Sequence, residues 1–377
     1  MFKRNVLAVS LAVAGLCSAQ AMAAVVGGGA TLPQNLYNTA TVLPSGFNAY
    51  IGVGSGAGKA AVLNNDATKL NLPSGTTVDY AGSDSVLSAA ELSAYKNAHQ
   101  SPTVPVTDAN NWGPLVQIPS AATSVTIPYK KAGVTSLNLT SAQLCGIFSG
   151  SITDWNQISS ASGPITVVYR GTSSGTSEIF TRHLNSQCSG QFGVSSTFTS
   201  AALGGVPAGA VAVSGSAQMA STVAATDGAI GYVGPEDVDA TNPAVVAKVN
   251  GNLPTVGNVT IALSNALPPS TAADRADPAN WVPVLANPAT GYSIVGYTNL
   301  VFSQCYKDSA DATAIRTFLN RHYGLNASSN NDDEIVANKL IPLTTAWKNA
   351  IRTTFATTSS SLAIGNTSAC NGIGRPL

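Results

Sequence analysis

The sequence predicts an α/β protein of two domains, and three observations carry that prediction. Strand-like runs rich in β-branched and aromatic residues alternate with helical runs, helix starts carry reciprocal capping pairs, and 377 residues exceed what one hydrophobic core usually holds. The strand-like runs are residues 76–80, 124–128, 165–169, 230–233 and 294–302. Ser88 with Glu91 reads as a capping box opening a helix through Ala98, and Thr140 with Gln143 opens a second helix carrying Leu144, Ile147 and Phe148. Residues 310–323 place Ile315, Phe318 and Leu319 on one stripe, and Gly324 stops that helix. Residues 195–216 and 239–265 read as loop-rich, and no internal repeat is evident.

The N-terminus reads as an export leader spanning residues 1–23. Lys3 and Arg4 precede an apolar run from Val6 to Cys17, and Ala21-Met22-Ala23 supplies small residues for cleavage after Ala23. Leu16 stands before Cys17 where a lipid-modified cysteine wants a small residue, so no membrane anchor is expected. The remaining cysteines, Cys145, Cys188, Cys305 and Cys370, are an even set suited to two disulfides. Three pairings exist, and four free thiols are the competing reading. The sequential pairing, Cys145 with Cys188 and Cys305 with Cys370, is the expectation because each bridge then stays within one lobe. No two cysteines have the spacing of a zinc site.

Charge excludes whole classes of partner. Only 10% of residues are charged, and removing Lys3 and Arg4 from the 18 basic residues leaves 16 against 18 acidic. Such a chain has no electrostatic footprint for nucleic acid or anionic membrane. A ligand must be attracted by local dipoles.

Four short segments carry those dipoles. In Gly27-Gly28-Gly29-Ala30-Thr31-Leu32-Pro33 the glycine run is expected to turn several amides toward one point, with the Thr31 hydroxyl beside them. Gly52-Val53-Gly54-Ser55-Gly56-Ala57-Gly58-Lys59 fails the phosphate-loop spacing because Ala60 follows Lys59, yet leaves a glycine turn with Ser55 at a helix start. The third, Asp79 to Asp84, ends a strand in small residues and a carboxylate, and Asp84 read alone is as good a helix cap as a ligand. In the fourth, Arg170 ends a strand and Ser174-Gly175-Thr176 opens a helix, a pairing suited to a tetrahedral oxyanion.

The fourth segment also fits a nucleophile elbow, Gly171-Thr172-Ser173-Ser174-Gly175, which makes a serine hydrolase or phosphoesterase the rival reading. The rival needs a histidine. His183 lies inside the helix that the elbow starts, and His322 reads as a surface or core-edge residue of an amphipathic helix. With three scattered histidines there is no recognisable metal set, so no metal or other cofactor is expected.

Together the four segments resemble the phosphate-binding proteins of ABC importers. Residues 146–156, Gly-Ile-Phe-Ser-Gly through Thr-Asp-Trp-Asn, and residues 228–233, Gly-Ala-Ile-Gly-Tyr-Val, are typical of that family. Residues 27–33, 50–58, 81–85, 145–155 and 302–306, with the tail segments 364–366, 370–372 and 374–376, make the mature chain similar to the DING subgroup. Ala24-Val25-Val26 stands where that subgroup has the Asp-Ile-Asn that names it, and Thr172 stands where the wider family has an acidic residue orienting the site arginine.

The resemblance implies a two-lobed type II periplasmic binding protein fold with ligand in the interlobe cleft. Lobe one would comprise residues 24–123 plus 295–377, and lobe two residues 124–294. The implied contacts to inorganic phosphate are Thr31, Leu32 through its N–H, Ser55, Asp84, Arg170, Ser174, Gly175 and Thr176. The implied setting is a monomer outside the cytoplasm, periplasmic or secreted, with an ABC phosphate permease as a partner. Asp84 would accept the proton of HPO4²⁻ or H2PO4⁻, which sulfate lacks.

Overall fold

The computed structural model describes residues 24–376, and the expected leader, with Cys17, lies outside the described residues. Eleven strands are described, numbered in chain order: β1 Gly27–Gly29, β2 Ile51–Gly52, β3 Tyr80–Ser83, β4 Leu115–Ser124, β5 Tyr129–Lys130, β6 Asn138–Leu139, β7 Thr166–Arg170, β8 Val211–Val213, β9 Ala229–Ile230, β10 Lys248–Val249 and β11 Val295–Ser303. They form a five-stranded sheet of order β2-β1-β3-β11-β4, a four-stranded sheet of order β5-β9-β7-β8, and the pair β10-β6. Helices separate the strands, so the α/β class stands, with each larger sheet at the heart of one lobe.

The first sheet mixes directions. β1 runs parallel to β2 and β3, whereas β11 is antiparallel to β3 and β4. Every residue of β4 and β11 is buried, which gives the sheet a dry centre covered on both faces. Their register shifts between Thr298 and Asn299, opposite Pro119 to Ala121. That bulge lets β4 hold Pro119 at the sheet edge. In the second sheet β7 is parallel to β8 and β9, with β5 antiparallel at the edge.

The chain passes between the sheets at two adjacent places. Val125 follows β4, Ile294 precedes β11, and Val125 N donates to Ile294 O at 2.9 Å. Part of the long excursion between them docks on the first sheet. Gln117 Nε2 donates to Pro278 O at 3.2 Å, Trp347 Nε1 donates to Ala266 O at 2.9 Å, and the Trp281 ring meets Trp347 and Phe355.

Capping chemistry set two helices where the sequence placed them. Helix Ala89–His99 and helix Ser141–Ser149 both begin with a reciprocal capping box, Ser88 with Glu91 and Thr140 with Gln143. A third box, Asp154 with Gln157, opens the turn Trp155–Gln157. The expected helix at 310–323 is Ser309–His322.

Two local expectations are overturned. The Gly27–Gly29 run is a strand, so its peptide groups serve ladders with β2 and β3 and do not converge on a point. Small size matters there because the Tyr80 ring and the Ile51 backbone close on those α-carbons. The run 124–128 begins where β4 ends; the strand reaches back to Leu115, and its centre, Pro119-Ser120-Ala121-Ala122, carries no β-branched residue. Residues 195–216 and 239–265 are loop-rich as expected, the first interrupted by helix Phe198–Ala201 and β8 and the second by β10 and helix Val256–Leu263.

Both disulfides follow the sequential pairing. Cys145–Cys188 ties helix Ser141–Ser149 to the end of helix Gly175–Cys188, and Cys305–Cys370 ties the chain after β11 to the C-terminal tail.

Candidate anion-binding site

The site forms where helix Ser55–Asn64 from the first lobe and helix Gly175–Cys188 from the second point their N-termini at each other. Gly54 precedes the first with φ +98, a conformation that disfavours any side chain and turns the chain sharply off β2. Gly175 opens the second, and a Cβ there would collide with Asp84 Cβ and Ser85 N. Glycine therefore permits the two lobes to touch at this point.

Ser55 holds the contact. Its Oγ accepts from Asp84 N and from Gly175 N, each at 3.1 Å, so one oxygen bridges the lobes. Ser174 repeats the pattern, its Oγ accepting from Arg170 Nη1 at 3.1 Å and from Ser177 N at 3.4 Å. A hydroxyl has two acceptor positions and one proton. With both acceptor positions filled by N–H groups, Ser55 and Ser174 can only donate their protons outward.

Arg170 is buried at the end of β7, its N–H on the Tyr232 hydroxyl at 3.1 Å. Its Nη2 donates to Thr172 Oγ1 at 3.4 Å, and Thr172 donates on to Ser214 O at 3.2 Å. Hydroxyls thus hold the guanidinium where the wider family is expected to use a carboxylate. Burial lowers the Arg170 pKa, while Tyr232, Asp84 and Glu236 act to raise it. Among the described residues Arg170 Nε, Asp84 Oδ1 and Thr176 Oγ1 are buried without a hydrogen-bond partner.

Asp84 is held just beyond β3, 4% exposed. Burial pushes its pKa up to about 7, against the opposing pull of the Thr298 hydroxyl and the Arg170 guanidinium. Thr31 is half-buried with Oγ1 3.0 Å from Ser216 Oγ across the lobe boundary, and Leu32 is buried behind it. The structure gathers Ser55, Asp84, Arg170, Ser174 and Gly175 into one bonded or charge-coupled cluster. Gly175 differs from expectation in one respect, because its amide already serves Ser55 Oγ.

Residue-by-residue reading missed Tyr232, Ser177, Ser216, Thr298 and Glu236. Tyr232 lay within a segment noticed for another reason, and its hydroxyl meets Ser177 Oγ at 2.7 Å while receiving Arg170 N. Thr298 carries no local signal, since it reaches Asp84 only through the pairing of β11 with β3.

The same geometry brings neither His183 nor His322 to the elbow serine. Ser173 Oγ donates to Ser196 Oγ at 2.9 Å, while His183 Nε2 lies on Ser141 Oγ and His322 Nε2 on Ser120 Oγ. His322 is fully buried, not at a surface or core edge, and burial lowers its pKa to about 4. It belongs to a buried chain linking Tyr37, Ser120, His322 and Asn331.

Comparison with known proteins places this geometry. The model of the PBP superfamily domain matches residues 18–320. PfluDING, a high affinity periplasmic phosphate-binding protein solved bound with phosphate, has a TM-score of 0.87 at 46% identity, covering 94% of this chain and all of its own. The chain belongs to the DING-type phosphate-binding proteins of the PBP superfamily. A human phosphate binding apolipoprotein matches with a TM-score of 0.85 and 43% identity over 94% of this chain and all of its own. A Pseudomonas aeruginosa relative called Alkaline phosphatase L is 52% identical over the full length of both chains. The DING-type membership establishes the two-lobed type II fold.

Proposed function

We propose that this protein captures inorganic phosphate in the cleft between its lobes, through Thr31, Leu32, Ser55, Asp84, Arg170, Ser174, Gly175 and Thr176. One observation carries the reading: a buried cluster offers the outward protons of Ser55 and Ser174, the unpaired Nε of Arg170 and the hydroxyl of Thr176, together with one unpaired carboxylate oxygen of Asp84. Unpaired buried polar atoms cost free energy unless something satisfies them. An oxyanion that accepts many hydrogen bonds and donates one fits that set. We place the lobe boundaries at 124 and 294, so that the paired crossing at Val125 and Ile294 acts as the hinge. Two disulfides support a setting outside the cytoplasm, and delivery to an ABC permease fits the fold.

Isothermal titration tests the reading. Phosphate is expected to bind with micromolar or tighter affinity and to be preferred over sulfate by roughly 10³-fold, because sulfate would set an acceptor against an acceptor at Asp84. Equal competition by sulfate would sink the role of Asp84. The names of the Pseudomonas relatives favour a phosphatase as the second reading. Ser173→Ala separates the two: a measured phosphatase activity that vanished in this variant, with phosphate binding intact, would support the second.

A further inference from the structure

None of the proposed phosphate contacts uses Glu178, a carboxylate in the first turn of helix Gly175–Cys188. It stands one turn from Gly175, the glycine packed against Asp84 and Ser85. The side chain is 12% exposed, and its Oε1 accepts from Arg182 Nη2 on the same helix at 2.7 Å. The same oxygen accepts from Val86 N at 3.3 Å, 92 residues away in the chain. Val86 lies on the loop after β3, two residues beyond Asp84.

Val86 is gripped at both of its backbone polar atoms. Its N–H goes to Glu178 in the second lobe, while its carbonyl accepts from Lys59 Nζ in the first lobe at 3.1 Å. Lys59 is buried in helix Ser55–Asn64, whose N-terminus faces the site, and it pairs with Glu91 at 3.1 Å. Glu91, Lys59, Glu178 and Arg182 thus form a row of alternating charge that crosses the lobe boundary through Val86. On either side the loop is tied within the first sheet and its helices, Asp84 N to Ser55 Oγ and Leu87 N to Gln117 Oε1 at 2.7 Å.

The placement of Glu178 has a cost. It faces Asp84 with like charge, and a carboxylate beside an anion site opposes the ligand. An acid in a first turn suits the helix dipole wherever it points. This one is aimed at an amide of the other lobe.

We propose that Glu178 is a positioning residue that clamps the loop bearing Asp84 to the second lobe when phosphate is held in the cleft. This rests on the phosphate reading and on the lobe boundaries above. Val86 and Glu178 belong to different lobes, so their hydrogen bond forms on closure and breaks before the ligand leaves. The charge of the acceptor strengthens that bond. Arg182 holds the carboxylate in place and offsets its charge toward the anion. No covalent bond changes.

Alanine and glutamine at position 178 test the clamp. Affinity is read by isothermal titration with inorganic phosphate, dissociation by chase of radiolabelled phosphate, and folding by the melting temperature of the ligand-free protein. Charge and clamp predict opposite signs, because removing a carboxylate near a bound anion should by charge alone tighten binding. Glu178→Ala is expected to bind phosphate about tenfold more weakly, the effect of one hydrogen bond to a charged group, through faster dissociation. Glu178→Gln keeps an oxygen for Val86 N and is expected to stay within about threefold of the wild type. Both variants break the pair with Arg182, so both should lose the same melting temperature, whereas a merely structural role would move affinity and melting temperature in parallel. An alanine variant that binds as tightly as the wild type, or more tightly, overturns the inference, as does a glutamine variant as weak as alanine. Failure of the wild type to bind phosphate at any concentration is a separate outcome, since it removes the phosphate reading and the clamp with it.

Discussion

At the residue scale the decisive group is Asp84, and its raised pKa gives the selectivity a pH dependence. Above about pH 7 the carboxylate is ionised and can only accept, so it rejects sulfate; below that it takes a proton of its own and can donate to sulfate. Competition titrations are therefore expected to show the preference for phosphate over sulfate declining as the pH falls through 7, and Asp84→Asn should show a low preference with little pH dependence. The same shift acts on stability. An acid whose folded pKa lies above its unfolded value of 3.8 binds more protons when folded, so its contribution is fully present below that value and lost as the pH rises toward 7. Asp84→Asn should raise the melting temperature of the ligand-free protein at pH 8, corresponding to on the order of 2 kcal/mol. A lowered melting temperature would show that Asp84 is satisfied by neighbours. Asp84 was legible in the sequence as an acid at the end of a strand, and Ser55 and Ser174 as hydroxyls at helix starts. Thr298 and Glu236 were not, because their nearness to Asp84 is made by strand pairing and loop folding across more than a hundred residues.

At the element scale the two helix N-termini meet only because of what is missing from their first turns. Gly175→Ala puts a methyl group into Asp84 and Ser85, contacts that exist only when the lobes are together. Affinity for phosphate is expected to fall by roughly tenfold to a hundredfold, the cost of overpacking by one methyl, with the melting temperature of the ligand-free protein unchanged. Calorimetry and thermal unfolding on the same variant read both quantities, and a stability loss as large as the affinity loss would show that the glycine serves folding and not closure. Helix starts were readable because capping is local: Ser88 with Glu91 and Thr140 with Gln143 lie three residues apart. β1 was unreadable because three glycines carry no strand preference, and only the neighbouring Tyr80 and Ile51 make them a strand. β4 was misplaced for a related reason, its burial on both faces being supplied by β11 and by the chain that returns at Ile341.

For the whole molecule, the alternation of strands and helices was enough to give the class, whereas the antiparallel insertion of β11 between β3 and β4 is a long-range choice that no local pattern records. Cys145–Cys188 lies between Val125 and Ile294 in the chain and Cys305–Cys370 lies after them, so among the described residues neither disulfide spans the crossing. The charge balance noted at the outset has a kinetic meaning. Sixteen basic residues against 18 acidic leave no positive field to draw an anion in from a distance, and the one positive charge in the cluster, Arg170, is buried beyond the reach of mobile ions. Stopped-flow association of phosphate should therefore change less than about threefold between 20 mM and 500 mM sodium chloride, whereas steered association falls steeply with ionic strength. Uptake by such a receptor would proceed at nearly the same pace in brine as in fresh water.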